Sequence, residues 1–330
     1  MTSLGETIIE ADDEIKLDKH IKNVLAYKPV LARIFKETVV ECRNMNYEEI
    51  EACIEGEISI DVVGLNPGTT NTAKIEGRTQ EDSVNNEGKI TFDIRTILRI
   101  PELQQELGVK ILVDVEAQKN DTPGYDIIER AIFYCCRMIS AQLSTEFTNE
   151  TADKVKYGNL KKVYSIWICT ETSQKKANTI ERYNINRSVY PEKKEGSEPR
   201  YDLIEAIIVN ISKDHNTDGS DSELINFLTD LFNEEMNSRK KIDLLKNRYK
   251  LLTTESFESE VELMTAYSAG LEKKGKIKGF EELSNLIQWL LKQNRIEDIN
   301  AVTVQDSDKA DTARQKLFEE YEKENGKHNS

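Results

Sequence analysis

The chain has 330 residues, with 45 lysines and arginines against 60 aspartates and glutamates, and a formal charge of −15. Such a balance excludes a surface attracted to nucleic acid as a whole and leaves room only for a local basic groove. Five cysteines, an odd number with no CxxC pair, exclude a disulfide framework and a zinc ribbon, and no apolar run reaches the roughly 20 residues of a membrane span.

Residues 1–17 read as a polar, acidic arm without the apolar core of a signal peptide. With the thiols read as reduced, a cytoplasmic location is expected. Asp18 is placed to cap a helix from Lys19. Apolar residues from Ile21 to Val39 recur at helical spacing, with Pro29 as a kink or a first-turn proline. Glu37 and Glu41 fall one turn apart on that helix. A short helix from Asn46 carries an Asn-x-x-Glu cap with Glu49.

Glu57 to Val63 is expected as a strand, then a turn-rich loop, a short strand over Ala73 to Gly77 and a polar connection containing Glu81 and Asp82. Two β-rich runs follow, joined by PELQQELG. Tyr125 to Thr145 has a long apolar helical stripe, with Arg130 and Tyr134 at its margin. KKVYSIWICT is almost continuously apolar and is expected as a central strand. Two further strands, TIERYNINRSVY and DLIEAIIVNIS, precede a helical remainder in which Gly270, Gly275 and Gly279 signal close packing, a hinge or a break. The expected divisions are an arm (1–17), a mixed α/β body (18–215) and a helical C-terminal region (216–330).

The sharpest chemical signal lies in the two β-rich runs. Strand alternation puts Asp114, Glu116 and Gln118 on one face and Ile111, Val113, Val115 and Ala117 on the other. The preceding run carries Asp93. Buried carboxylates need a partner, a proton or a metal. Asp93 and Glu116 on adjacent strands, with the Ala117 backbone carbonyl, would form an oxygen site for Mg²⁺. The same residues also fit an open, solvated sheet face. Arg130 is read either as a phosphate contact or as a partner of Glu129 or a sheet carboxylate. The basic run Ser-Arg-Lys-Lys at 238–241, with Lys246, Arg248 and Lys250, is read as a solvated face or a DNA-backbone contact. His20, His215 and His328 have no triad or ligand spacing, and there is no nucleotide-binding glycine motif.

The segments IEGEISI, NEGKITFDI, VKILVDVEAQKN, PGYDIIERAIFYCCRMISAQ and LKKVYSIWIC, followed by ELMTAYSAGLEKKGKIKGF, resemble the PD-(D/E)XK nuclease family transposases, relatives of the recombination-promoting nucleases. The resemblance implies an α/β (α+β) restriction-endonuclease-like αβββαβ core with a helical C-terminal region. It implies a metal-dependent DNA endonuclease of recombination or mobile-element processing, using Mg²⁺ or Mn²⁺, with DNA as substrate and a homodimer as the working form. Asp93 matches the family's first metal-binding aspartate and Glu116 its second acidic residue. Gln118 stands where the superfamily usually has lysine, and an amide brings no positive charge. A nuclease-fold protein acting only as a DNA-binding or protein-interaction module is the alternative.

Overall fold

The computed structural model describes residues 3–60, 64–65, 81–84, 88–91, 93–100, 109–120, 124–144, 157–188, 190, 200–212, 214–215, 220–303, 315–321 and 323. Within these, the side chains of some residues, Asp114 and Gln118 among them, are not described. The chain is a mixed α/β protein with helices flanking a sheet and a helical C-terminal region.

Three helices precede the sheet: α1 (Ser3–Leu25), α2 (Lys28–Thr38) and α3 (Tyr47–Cys53). The polar arm is thus helical from Ser3, and Asp18 lies inside α1 rather than at its cap. Pro29 sits in the first turn of α2, where its missing N–H breaks no helical bond. The α2 helix ends at Thr38, so Glu41 belongs to a short 3₁₀ turn over Val40–Cys42. The expected capping box closes the start of α3: Glu49 N–H donates to Asn46 Oδ1 (2.8 Å) and Asn46 N–H donates to Glu49 Oε2 (2.7 Å).

Among the described residues, nine strands follow or interleave. β1 (Ile54–Ile60), β5 (Ile94–Ile100), β6 (Val109–Asn120), β7 (Val163–Thr172), β8 (Thr179–Asn184) and β9 (Ile204–Ser212) form one sheet in the order β1-β5-β6-β7-β9-β8. β2 (Gly64–Leu65), β3 (Glu81–Val84) and β4 (Gly88–Thr91) form a second, three-stranded sheet. The expected strand over Ala73 to Gly77 and the PELQQELG connector lie outside the described residues. The β1–β5, β5–β6 and β8–β9 pairs are antiparallel; β6, β7 and β9 are mutually parallel. α4 (Ile127–Ser140) makes the crossover from β6 to β7, as a parallel pair requires. Asp126 caps it, donating no proton but accepting from Ile128 N–H.

Both faces of the sheet are covered, which explains why β7 reads as continuously apolar. Tyr164, Ile166, Ile168, Ile207 and Val209 face a core shared with Leu31 and Phe35 of α2 and with Phe227 of α5 (Glu223–Phe232). Trp167, Cys169, Ala206 and Ile208 point the other way, onto Ala131, Tyr134 and Cys135 of α4. Ser222 caps α5 through its hydroxyl. α6 (Ser238–Asn247) also packs into the α2-side core through Ile242 and Leu245.

The chain divides into two compact units, residues 15–266 and residues 1–14 with 267–330. α5 and α6 fall in the larger unit, with the sheet. The division falls within α1 and within α7 (Glu255–Lys292). In the smaller unit, Leu286, Trp289 and Leu290 of α7 meet Val302 of α8 (Ile296–Thr303) and Leu317 of the helical stretch 315–321. Gly270, Gly275 and Gly279 neither break α7 nor pack closely, since a Cβ at each would meet no atom within 4 Å. Among the described residues no helix is long and apolar enough to cross a membrane.

Candidate active site

The β5–β6 register pairs Ile94 with Val115, so Asp93 lies opposite the residue that follows Val115. The two acidic residues are then fixed by a reciprocal exchange. The backbone N–H of Asp93 donates to Glu116 Oε1 at 2.9 Å, and the backbone N–H of Ala117 donates to Asp93 Oδ2 at 3.1 Å. Each carboxylate thus reads the backbone of the other strand. This orients both groups more firmly than side-chain packing alone, because a charged acceptor strengthens an N–H bond.

A third residue enters from α1. Lys22 Nζ lies 2.9 Å from Asp93 Oδ1 and 2.6 Å from Asp18 Oδ2, one helical turn before it. The Lys22 and Asp93 side chains are only 11% and 14% exposed. Burial lifts the Asp93 carboxyl above the ordinary carboxylate range, and the Lys22 ammonium pulls against that rise without cancelling it. Burial also works against the charge on Lys22, but Asp93 and Asp18 together outweigh it and hold its pKa above the ordinary lysine value. Lys22 is a member of this cluster that local sequence patterns do not reveal. Its i,i+4 spacing from Asp18 is visible in the sequence, yet nothing there connects it to a residue 71 positions away.

Glu116 is buried and faces the α4 side of the sheet, since its β7 neighbour in register is Trp167. Arg130 of α4 feels its charge. Burial lowers the Arg130 pKa, but Tyr134, Tyr125 and Glu116 together bring it above the ordinary value. The guanidinium donates from Nε and Nη2 to Tyr134 Oη (3.0 and 2.6 Å) and from Nη1 to Tyr125 Oη, and it lies 5.3 Å from the Trp167 ring centroid. Tyr125, at the start of the stretch predicted as a helix, is thus a hydrogen-bond acceptor. Arg130 combines a sheet-carboxylate interaction with an aromatic clamp.

The remaining sequence-derived residues fall as follows. Gln118 occupies its place in β6 opposite Cys169, and Asp114 lies opposite Arg95 in the β5–β6 register, but neither side chain is among those described. Glu37 and Glu41, predicted one turn apart on a helix, are both engaged within the fold. Glu37 accepts from Ser222 Oγ (2.5 Å) and Leu224 N–H (2.8 Å), tying the start of α5. Glu41 accepts from Tyr164 Oη (2.6 Å) and pairs with Lys162 (3.2 Å). Glu81 and Asp82 lie in β3 of the second sheet. In the basic run around α6 only Lys241 turns inward; Arg239, Lys240, Lys246, Arg248 and Lys250 are exposed, with Lys246 paired to Glu258 (2.6 Å) and Arg248 to Asp230 (2.9 Å).

For a divalent cation the donor chemistry fits. Asp93 and Glu116 are hard oxygen donors held on adjacent strands, and Mg²⁺ needs few protein ligands because it keeps several waters. Among the described residues no group of three acidic, histidine or cysteine side chains gathers, so coordination beyond the two carboxylates would fall to a backbone carbonyl and water.

No family model, no curated protein and no solved structure matches the chain.

Proposed function

We propose that the chain is a Mg²⁺-dependent endonuclease that hydrolyses DNA phosphodiesters, built on a restriction-endonuclease-like core of the PD-(D/E)XK transposase type. The observation that carries this reading is the reciprocal bonding of Asp93 and Glu116 across β5 and β6, with the Lys22 ammonium joined to Asp93. Support comes also from the strand order β1-β5-β6-β7 with the α4 crossover, which is the arrangement the αβββαβ core calls for. Asp93, Glu116 and the Ala117 carbonyl would hold the ion. When bound, it supplies an acidified water and neutralises the charge that develops on the phosphoryl oxygens.

The protein's own groups do the rest. The backbone N–H groups of Asp93 and Ala117 fix the two carboxylates, so little reorganisation accompanies reaction. Lys22 brings from α1 the positive charge that Gln118 does not carry, placed to stabilise a phosphate oxygen or an attacking hydroxide. Gln118 orients a water or a phosphate oxygen. Arg130, held by two phenols, offers a guanidinium to a phosphate on the α4 side.

A second reading has its own observation. Lys22 already balances Asp93, which also suits a nuclease-fold protein that binds DNA or protein without cleaving. Calorimetric titration with Mg²⁺ and Mn²⁺ separates the two. The endonuclease reading expects saturable binding that Asp93→Ala and Glu116→Ala abolish; duplex DNA binding with no divalent-ion binding favours the second.

A further inference from the structure

Independently of the nuclease reading, α7 displays an exposed apolar face. From Gly275 to Glu282, more than two helical turns, every residue is exposed. Such a stretch has little to hold it helical. It contains two glycines, the poorest helix formers after proline, and most helical stability comes from packing an apolar face. Yet it displays Ile277 at 50% exposure and Phe280 at 73%. With Ser284, half-buried Ile287 and exposed Leu291, these residues follow the three-four spacing of a helix–helix seam. At 3.6 residues per turn, Gly275 and Gly279 lie on the far side of the helix from Ile277.

The charge order along this seam identifies its occupant. Lys273, Lys274, Lys276 and Lys278 form a basic block, and Glu281 and Glu282 follow at once. Lys274 already bonds Asp13 at 2.6 Å and Lys276 pairs with Glu272. Lys273 and Lys278 have no ion-pair partner among the described residues. A parallel copy of the helix would set lysine against lysine. An antiparallel copy, related by a two-fold axis between Ile277 and Phe280, sets 273–278 against 279–284 of its mate. The partner's Glu281 and the partner's Glu282 then lie within a turn of Lys273 and Lys278, and Ile277 meets the partner's Phe280. Such a two-fold contact is self-complementary. A nucleic-acid backbone fits the surface less well, because Glu281 and Glu282 flank the exposed phenyl ring and would repel phosphate. We infer that the exposed 273–291 face of α7 is a homodimer interface in which a second copy of this chain packs antiparallel through Ile277 and Phe280.

Sedimentation velocity and light scattering of the full chain test this directly. The wild type is expected at twice the monomer mass. Ile277→Asp with Phe280→Asp is expected to halve that mass while circular dichroism shows the rest of the fold intact. Lys273→Glu alone and Glu281→Lys alone are each expected to weaken the dimer about tenfold or more, and the two together to restore it, a rescue that general loss of folding cannot mimic. A wild type that stays monomeric at micromolar to hundred-micromolar concentrations overturns the inference. So does a dimer indifferent to Ile277 and Phe280, or a monomer that uses these residues to bind a DNA duplex.

Discussion

Lys22 and Asp93 are joined by a 2.9 Å ion pair between the end of α1 and the start of β5, with both side chains nearly enclosed. Removing one partner of an enclosed pair strands the other charge. Lys22→Met is therefore expected to destabilise the larger unit by about 2 kcal/mol at pH 7, reduced from the fully buried figure because both groups keep some exposure. Without the ammonium, the Asp93 carboxyl rises further and takes up a proton as pH falls, so the deficit should shrink in acid. Urea denaturation of wild type and variant at pH 7 and pH 4.5 measures this difference. The same variant is expected to cleave DNA at least about 100-fold more slowly while still requiring Mg²⁺.

Burial pushes the Lys241 ammonium down to about 8, with Glu234 opposing only in part. Its side chain in α6 is 2% exposed. A lysine depressed in the folded state binds fewer protons there than when unfolded. Between pH 8 and the ordinary lysine value near 10.5, its contribution to stability therefore rises with pH; below pH 8 the full penalty of the enclosed charge applies. Lys241→Met is expected to stabilise the protein by about 1–3 kcal/mol at pH 7. The gain over wild type should shrink between pH 8 and 10, which thermal unfolding across that range would register.

At the start of β7 and β9 lies a second enclosed network. Glu205 takes Lys162 at 2.8 Å and Arg182 at 2.5 Å, while Tyr164 donates to Glu41 at 2.6 Å. Arg182 also donates to the carbonyls of Thr38 and Glu37, fastening the end of α2 to the sheet. Glu205→Ala removes the carboxylate that Arg182 and Lys162 share, leaving Lys162 with Glu41 (3.2 Å), and is expected to cost about 3 kcal/mol. Tyr164→Phe removes one hydroxyl beside a charged acceptor, at about 1.5–3 kcal/mol. Chemical denaturation of the two variants should reproduce that ranking.

Gly279 occupies an uninterrupted helix with open space where a Cβ would stand. Gly279→Ala is expected to stabilise the smaller unit by about 1 kcal/mol. Because Gly279 lies opposite the Ile277 side of α7, association should be unchanged, and sedimentation of this variant alongside its melting curve checks both statements.

Much of the sheet was legible because its signals are local. The unbroken apolar run of β7 follows from the covering of both faces of the sheet, and the Asn46–Glu49 box is complete within four residues. The pairing of Asp93 with Glu116 was also legible, since both lie in adjacent β-rich runs. What escaped was set by tertiary contact. α1 reads as a polar arm because one side of it faces solvent, and Lys22 gains its meaning only from Asp93. The inward turn of Lys241 and the capture of Glu37 and Glu41 by α5 and β7 likewise depend on packing that no local spacing encodes. Glycines 270, 275 and 279 misled because helix propensity is a weak prior against a long helix that continues through them.

The central claim rests on two carboxylates acting together on DNA. Nicking of supercoiled plasmid by the full chain in Mg²⁺, with Asp93→Ala and Glu116→Ala in parallel and circular dichroism confirming their folds, tests it most directly. The expected result is metal-dependent conversion to nicked circles that disappears on chelation and in both variants. Folded wild-type protein that leaves the plasmid intact in Mg²⁺ and in Mn²⁺, or cleavage that survives both substitutions, would contradict it.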